Sequence, residues 1–159
     1  MSPAQAPSTG HGTASGLGDS DSVVVFDLGV QRYALAVTST REVVPIEKLL
    51  NVPKTSHAVL GLFPLRGAAL ALVDMSRLLG LEAPGGHKQA LVLVKGETAL
   101  CGITVDNVVG VVRVDSSTFT PGDQGREPGV LGFMSTPQTG TFTMLDTRMV
   151  LQRIDDLRF

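Results

Sequence analysis

The stretch VVVFDLGVQRYALAV at residues 23–37 decides the fold class. It holds two runs of β-branched and aromatic residues on either side of Gly29. Two such runs around a glycine are typical of a β-hairpin. A second stretch, QALVLVKGETALCGITV at residues 89–105, repeats the arrangement with Gly96 at the turn. Short strands joined by turn residues, with few helical patterns, predict an all-β barrel or sandwich.

The two hairpins belong to an internal repeat, which is the first feature to look for in a chain of repeated strands. Three pairs of segments match in series: residues 34–46 with 102–114 (a shift of 68), 59–63 with 130–134 (a shift of 71), and 72–79 with 144–151 (a shift of 72). The shift grows slowly and in order, as small loop insertions would make it. The sequence therefore predicts two copies of one small unit, and strand exchange between the copies stays open.

The repeat sets the predicted domain organisation. The two units are expected at roughly 22–82 and 88–154, with the segment 83–88 (APGGHK) as the seam, inside one domain at 22–159. Each unit alone is small for an independent core, so the two should share an interface. Residues 1–21 are rich in Pro, Gly, Ser and Thr and have almost no large apolar side chains. Such a segment cannot offset its ordering entropy, and it is predicted to be a disordered tail.

Composition argues against several classes of partner and site. The net charge is −2 and aromatic residues make up 4% with no Trp, so nucleic-acid binding is not expected. The single cysteine, Cys101, lies in an apolar run, which indicates a buried residue and excludes a disulfide framework. The three histidines are scattered, and we expect no metal and no cofactor. No uninterrupted apolar stretch is long enough to span a membrane, so membrane insertion is not expected. The N-terminal residues do not have the pattern of a secretory signal.

The sequence also contains no pattern that predicts catalysis. We find no nucleophile with a base, no paired carboxylates in a recognisable motif and no phosphate-binding loop. The chain is therefore expected not to be an enzyme. Asp74 and Asp146 occupy equivalent places before short helical stretches, and we interpret both as helix N-caps. Phe63 and Met134 are also equivalent, and each could serve either the core or a partner surface.

Arg66 raises a separate question because it stands next to Gly67 at the start of a long apolar run. The first copy of the repeat has Leu-Arg-Gly here, whereas the second copy has Pro-Gln-Thr-Gly. A residue needed by the fold common to both copies should have a counterpart, so the asymmetry favours a role outside that fold. The alternative is an intramolecular ion pair with Asp74 or Glu42. The two roles can coexist.

The residues quoted above resemble a known family. FDLGVQRYALAVTSTREVVPI followed by VLGLFPLRGAALALVDMSRLLGL is similar to the CheW-like domain of bacterial chemotaxis coupling proteins, and GITVDNVVGVVRV looks like the second-half signature of that family. The resemblance implies two intertwined five-stranded SH3-like barrels with a hydrophobic groove between them. It also implies a non-enzymatic scaffold that couples the cytoplasmic tip of a chemoreceptor to the regulatory domain of a CheA-type histidine kinase. The location implied is cytoplasmic, at membrane-associated receptor arrays.

The resemblance also implies a receptor-binding surface, whereas no kinase-binding residue can be assigned. The receptor-binding residues implied are Thr40, Glu42, Val43, Val44, Gly61, Leu65, Arg66 and Gly67. Two positions depart from the family pattern. Thr40 stands where an aliphatic residue is usual, and Pro64 stands where Asn is common. The departures leave the fold in place and bear on which receptor is bound. The alternative function is a small-molecule-binding or structural β-barrel subunit.

Overall fold

The computed structural model describes residues 21–53, 56–81 and 88–157. The predicted tail lies outside the described residues except for Asp21, and so does the predicted seam except for Lys88.

The described chain is built of eleven strands, two α-helices and two short 3₁₀ helices. The strands are β1 (Ser22–Leu28), β2 (Gln31–Ala36), β3 (Thr40–Pro45), β4 (Val59–Leu65), β5 (Ala68–Val73), β6 (Gln89–Lys95), β7 (Thr98–Val105), β8 (Asn107–Arg113), β9 (Thr120–Pro121), β10 (Val130–Thr136) and β11 (Gly140–Leu145). The helices are α1 (Met75–Leu78) and α2 (Thr147–Asp155), and the 3₁₀ helices span Val37–Ser39 and Ser116–Thr118. The all-β fold class predicted from the hairpin patterns is confirmed.

The strands form two sheets, and each sheet takes strands from both copies of the repeat. One sheet has the order β8-β1-β2-β11-β10-β9, and the other has the order β3-β6-β7-β5-β4. We call them the six-stranded barrel and the five-stranded barrel. The hairpin of each copy (β1–β2 or β6–β7) pairs with strands of the other copy, so the barrels do not correspond to residues 22–82 and 88–154. The exchange explains why neither copy need bury its own hairpin.

The two barrels are related by the repeat, strand for strand. Strands β1, β2, β8, β10 and β11 of one barrel occupy the places of β6, β7, β3, β4 and β5 of the other. Five strands were expected in both, and the sixth strand, β9, is only two residues long. In the five-stranded barrel its place is taken by a single bridge between Leu50 and Leu62. The two sheets therefore differ in strand number only because a few more residues are paired at one sheet edge.

Gly61 and Gly132 allow these edge pairings. Both glycines lie at a register shift in their hairpin, β4–β5 or β10–β11. A Cβ on Gly61 would lie 2.5 Å from the main-chain oxygen of Leu50, and one on Gly132 would lie 2.2 Å from that of Thr120. No side chain fits at such distances, so both copies need glycine for close approach of the edge segment.

Strands β1 and β6 are apolar at successive positions because both of their faces are covered. Val23 and Val25 pack inside the six-stranded barrel, and Val24 and Phe26 pack in the cluster shared by the two barrels. Ala90 and Val92 of β6 likewise face the interior of the five-stranded barrel, while Leu91 and Leu93 join the shared cluster. This double burial accounts for the continuous apolar runs that decide the fold class.

Both helices begin at the predicted caps, which confirms that interpretation. Asp74 accepts hydrogen bonds from the main-chain N–H groups of Ser76 and Arg77, and Asp146 from those of Arg148 and Met149. Each carboxylate thus satisfies N–H groups that the helix leaves without partners.

Each helix start is also bonded to a strand end through a buried threonine. The Met75 N–H donates to Thr104 Oγ1 (3.0 Å), whereas the Ala36 N–H donates to Thr147 Oγ1 (2.9 Å). The threonine lies on the strand in one copy and on the helix in the other. The two copies therefore keep the link while exchanging donor and acceptor.

Candidate functional site

Arg66 and Gly67 form the two-residue turn between β4 and β5. Both have positive φ angles, 50° for Arg66 and 82° for Gly67. Two central residues with positive φ form the hairpin turn whose twist matches that of the flanking strands. Glycine adopts this conformation readily, but an arginine does so at a cost of about 1–2 kcal/mol in the backbone. The fold therefore tolerates Arg66 at a position where glycine or asparagine would be easier.

The Arg66 side chain reaches across to β3 and forms a bidentate ion pair with Glu42. Arg66 Nη2 donates to Glu42 Oε1 at 2.6 Å, and Arg66 Nη1 donates to Glu42 Oε2. The planar guanidinium matches the carboxylate in this arrangement. Of the two intramolecular partners considered from the sequence, Glu42 is the observed one, and Asp74 instead lies 3.5 Å from Arg77.

Ion pairing and exposure occur together at this site. The Arg66 side chain is 65% exposed, and that of Glu42 is 22% exposed. The hydrogen bonds from Arg66 hold the pKa of Glu42 below its ordinary value, with a smaller contribution from the charge of Arg41. The same bonds raise the pKa of Arg66. A charged pair is thus fixed in geometry and open to solvent, so a partner can contact it without first ordering the side chains.

The six-stranded barrel lacks both members of the pair. Glu42 follows a register shift in β3 and pairs with Val92, and Gly110 occupies the same place in β8, where it pairs with Val25. The turn that corresponds to Arg66-Gly67 is formed by residues 137–139, between β10 and β11. The seam between β8 and β10 is accordingly a groove of about 530 Å³, whereas Arg66 and Glu42 bridge the equivalent seam. The fold therefore forms without this ion pair.

The other predicted receptor-binding residues divide between surface and interior. Val43 is exposed beside Glu42 on β3, and Thr40 is half-buried, with its hydroxyl donating to the Val37 carbonyl. Val44 and Leu65 pack against the core of the five-stranded barrel. Gly61 is buried under Leu50, four positions before Leu65 on β4. The structure thus brings Glu42 and Arg66 together, with Gly67 next to Arg66 in the turn, and places Gly61 away from them. Val43 faces the opposite side of β3 from Glu42, because it pairs with Leu91 whereas Glu42 pairs with Val92.

Phe63 and Met134 belong to the core. Their exposed fractions are 2% and 1%, and each lies inside one barrel. Of the two roles left open by the sequence, the structure supports the internal one. Cys101 is fully buried, as predicted, and burial raises the pKa of its thiol to about 12.

Two features of the five-stranded barrel were missed in the sequence. Arg41 lies at the register shift of β3, and its Nη2 donates to the main-chain oxygen of Glu97 at 2.8 Å. Leu49 and Leu50 are 46% and 66% exposed and line a groove of about 530 Å³ with Leu62 and Phe63. Arg41 could have been found, because it adjoins Glu42 and corresponds to Val109 in the second copy. Nothing in the sequence predicts the groove, since its apolar residues cannot be told from ordinary residues of a strand or a connector.

Within the described part of the chain, His, Cys, Asp and Glu side chains form no group of three or more suited to hold a metal ion. None of the helices in that part has both the length and the apolar character to cross a membrane.

Comparison with known proteins gives a family match and similar proteins of known name. Residues 22–155 match the family described as the CheW-like domain. The chain is 27% identical over 92 residues to the chemotaxis protein CheW of Thermotoga maritima (58% of this chain, 61% of that protein). It is 28% identical over 97 residues to the chemotaxis protein CheW of Helicobacter pylori (60% of this chain, 59% of that protein). The chain thus spans about three fifths of the length of these curated relatives.

A solved structure shares the fold. The crystal structure of the scaffolding protein TtCheW from Thermoanaerobacter tengcongensis superimposes with a TM-score of 0.65 at 22% sequence identity. The match covers 79% of this chain and 88% of that chain. At this identity the likeness bears on the fold alone, and it agrees with the paired SH3-like barrels described above.

Proposed function

The chain belongs to the CheW-like domain family, and from this premise we propose that it is a non-enzymatic scaffold of a bacterial chemosensory array. In this role it couples chemoreceptors (methyl-accepting chemotaxis proteins) to the regulatory domain of a CheA-type histidine kinase. Its place is in the cytoplasm, at membrane-associated receptor arrays. The observation that carries the proposal is the family match over residues 22–155, together with a charged pair that only one of two equivalent barrels has.

The receptor-binding surface proposed is centred on the Glu42–Arg66 pair. The fixed guanidinium can bond carboxylates or the exposed carbonyls at the tip of a helical receptor. Apart from its two chain neighbours, no residue comes within 4 Å of where a Cβ of Gly67 would lie, so Gly67 leaves open space beside the arginine. The proposed surface also includes residues that adjoin the pair along the chain: Thr40, Val43 and Val44 on β3, and Leu65 at the end of β4. Gly61 is proposed to act at a distance, by shaping β4.

The kinase is proposed to bind a different face. A coupling protein must hold receptor and kinase together, so the two surfaces cannot overlap extensively. The experiment is reconstitution of a ternary complex from the chain, a soluble fragment spanning a chemoreceptor tip and the kinase regulatory domain. We expect analytical ultracentrifugation to show all three components in one species. Full displacement of the receptor fragment by saturating kinase domain would refute bridging.

A variant of Arg66 tests the receptor surface without threatening the fold. Arg66→Gly removes the guanidinium and also relieves the positive φ of an arginine, so the thermal midpoint should stay equal or rise. Receptor affinity, measured by calorimetry, should fall about 10-fold, because a charge-assisted bond is lost. A falling midpoint with unchanged affinity would make the pair purely structural. Stabilisation by small ligands without receptor or kinase binding would favour the alternative barrel function.

A further inference from the structure

Arg41 is the extra residue of a β-bulge on the edge strand β3. The pairing of β3 with β6 skips from Thr40 to Glu42, so Arg41 has no register partner. Its guanidinium is exposed and donates to the main-chain oxygen of Glu97, in the turn between β6 and β7. Bulges on edge strands redirect a side chain from the position that a regular strand would give it. Arg41 is thereby held next to Glu42, one member of the Glu42–Arg66 pair.

The charges of this cluster do not balance. The Arg66 guanidinium is neutralised by the Glu42 carboxylate, with which it shares two hydrogen bonds. Arg41 is held by a neutral carbonyl, and among the residues that the structure describes no carboxylate forms an ion pair with it. The charge of Arg41 is felt at Glu42, whose pKa it helps to lower. The three side chains Arg41, Glu42 and Arg66 therefore carry a net charge of +1, which suits an anionic partner group.

The fold does not need Arg41. The bulge recurs in the six-stranded barrel, where the register of β8 against β1 also skips one residue, Val109. Val109 has the place of Arg41, and Gly110 has that of Glu42. The backbone irregularity is thus common to both copies, whereas the charges occur in one. The second barrel is an internal control that separates the requirement of the fold from a requirement of recognition.

We propose that Arg41 is a second recognition cation of the receptor-binding surface and that it binds a carboxylate side chain of the receptor tip. The proposal deepens, and rests on, the receptor-coupling function proposed above. Arg66 supplies the rigid contact fixed by Glu42, and Arg41 supplies the uncompensated charge. Both arginines are exposed, but the charge of Arg66 is neutralised by Glu42 and that of Arg41 is not. The contribution of Arg41 therefore falls with ionic strength more steeply than that of the fixed pair.

The test compares Arg41→Gln, Arg41→Lys and Arg41→Glu for binding to the chemoreceptor-tip fragment by calorimetry. At low salt we expect Arg41→Gln to bind about 2- to 5-fold more weakly, the range for one exposed ion pair. Arg41→Glu should bind about 10-fold more weakly because attraction becomes repulsion. Arg41→Lys should retain most of the affinity. At 1 M salt, where the screening length is about 3 Å, the differences should nearly vanish.

Arg148→Gln is the matched control, since it removes an exposed arginine from the other barrel's helix α2 and should leave receptor affinity unchanged. Thermal midpoints of all variants should equal that of the wild type. Equal losses in Arg41→Lys and Arg41→Gln, independent of salt, would overturn the proposal, because they would indicate positioning through the Glu97 carbonyl. Wild-type affinity in Arg41→Gln would overturn the role of Arg41 alone. Failure of the wild type to bind the fragment would overturn the proposed function with it.

Discussion

Replacing Gly61 with alanine is expected to destabilise the protein by about 3 kcal/mol. The new Cβ would lie 2.5 Å from the main-chain oxygen of Leu50 and 3.0 Å from the Leu49 side chain. The connector before β4 must then move by roughly 1 Å to restore an ordinary contact distance. Leu50 shares two main-chain hydrogen bonds with Leu62, at 2.7 and 2.8 Å, and this movement breaks both.

The magnitude has two parts. Loss of the two hydrogen bonds costs about 2 kcal/mol, at about 1 kcal/mol each. The φ angle of Gly61, 154°, is one that L side chains rarely adopt, and this adds about 1 kcal/mol. With a urea m-value of about 2 kcal/mol per molar, the unfolding midpoint should fall by about 1.5 M.

The assay is urea unfolding followed by circular dichroism, with Gly110→Ala as the matched control. Gly110 lies in a strand of the other barrel with nothing within 4 Å of the added Cβ, so its substitution should change stability by less than about 0.5 kcal/mol. Gly132→Ala, which meets Thr120 in the equivalent place, should cost at least as much as Gly61→Ala. If Gly61→Ala and Gly110→Ala unfold at the same urea concentration, the close-approach reasoning is refuted.

Three further predictions concern titration, reactivity and the N-terminal segment. The Glu42 carboxyl should titrate below its ordinary value of 4.5, and Arg66→Ala should move its NMR midpoint back towards that value. Because the folded pKa is depressed, the pair's contribution to stability is present above the unfolded pKa and is lost only as pH falls through the folded one. Cys101 should resist thiol reagents at pH 8 in the native protein and react in urea, since burial raises its pKa to about 12; labelling of the folded chain would contradict this. Deletion of residues 1–20 should leave the thermal midpoint and partner binding unchanged, and a large loss in either would indicate that the segment docks on the barrels.

The sequence predicted the candidate surface only in part. Arg66 was identified because the second copy has no counterpart, and that comparison needs no structure. The partner of Arg66 could not be chosen, since the sequence offered both Glu42 and Asp74 as carboxylates and did not show which of them Arg66 reaches. Arg41 was missed, although its replacement by Val109 in the second copy was a usable signal. Its place at a β-bulge depends on strand register, which an apolar pattern does not reveal.

The all-β class and the helix caps were determined by the sequence itself, because each depends on residues that are near one another in the chain. The internal repeat was determined by it too, because matching two segments requires no knowledge of their contacts. Alternating and continuous apolar runs specify strands, and an aspartate before a short helix bonds that helix's own N–H groups. Which strands pair is a different matter. Hairpin β1–β2 fits the edges of either copy nearly as well, because the copies are alike. The packing of both faces of β1 and β6 decides that each hairpin pairs with strands of the other copy. The same packing therefore decides where β3 and β4 come to lie, and with them the seam across which Arg66 meets Glu42.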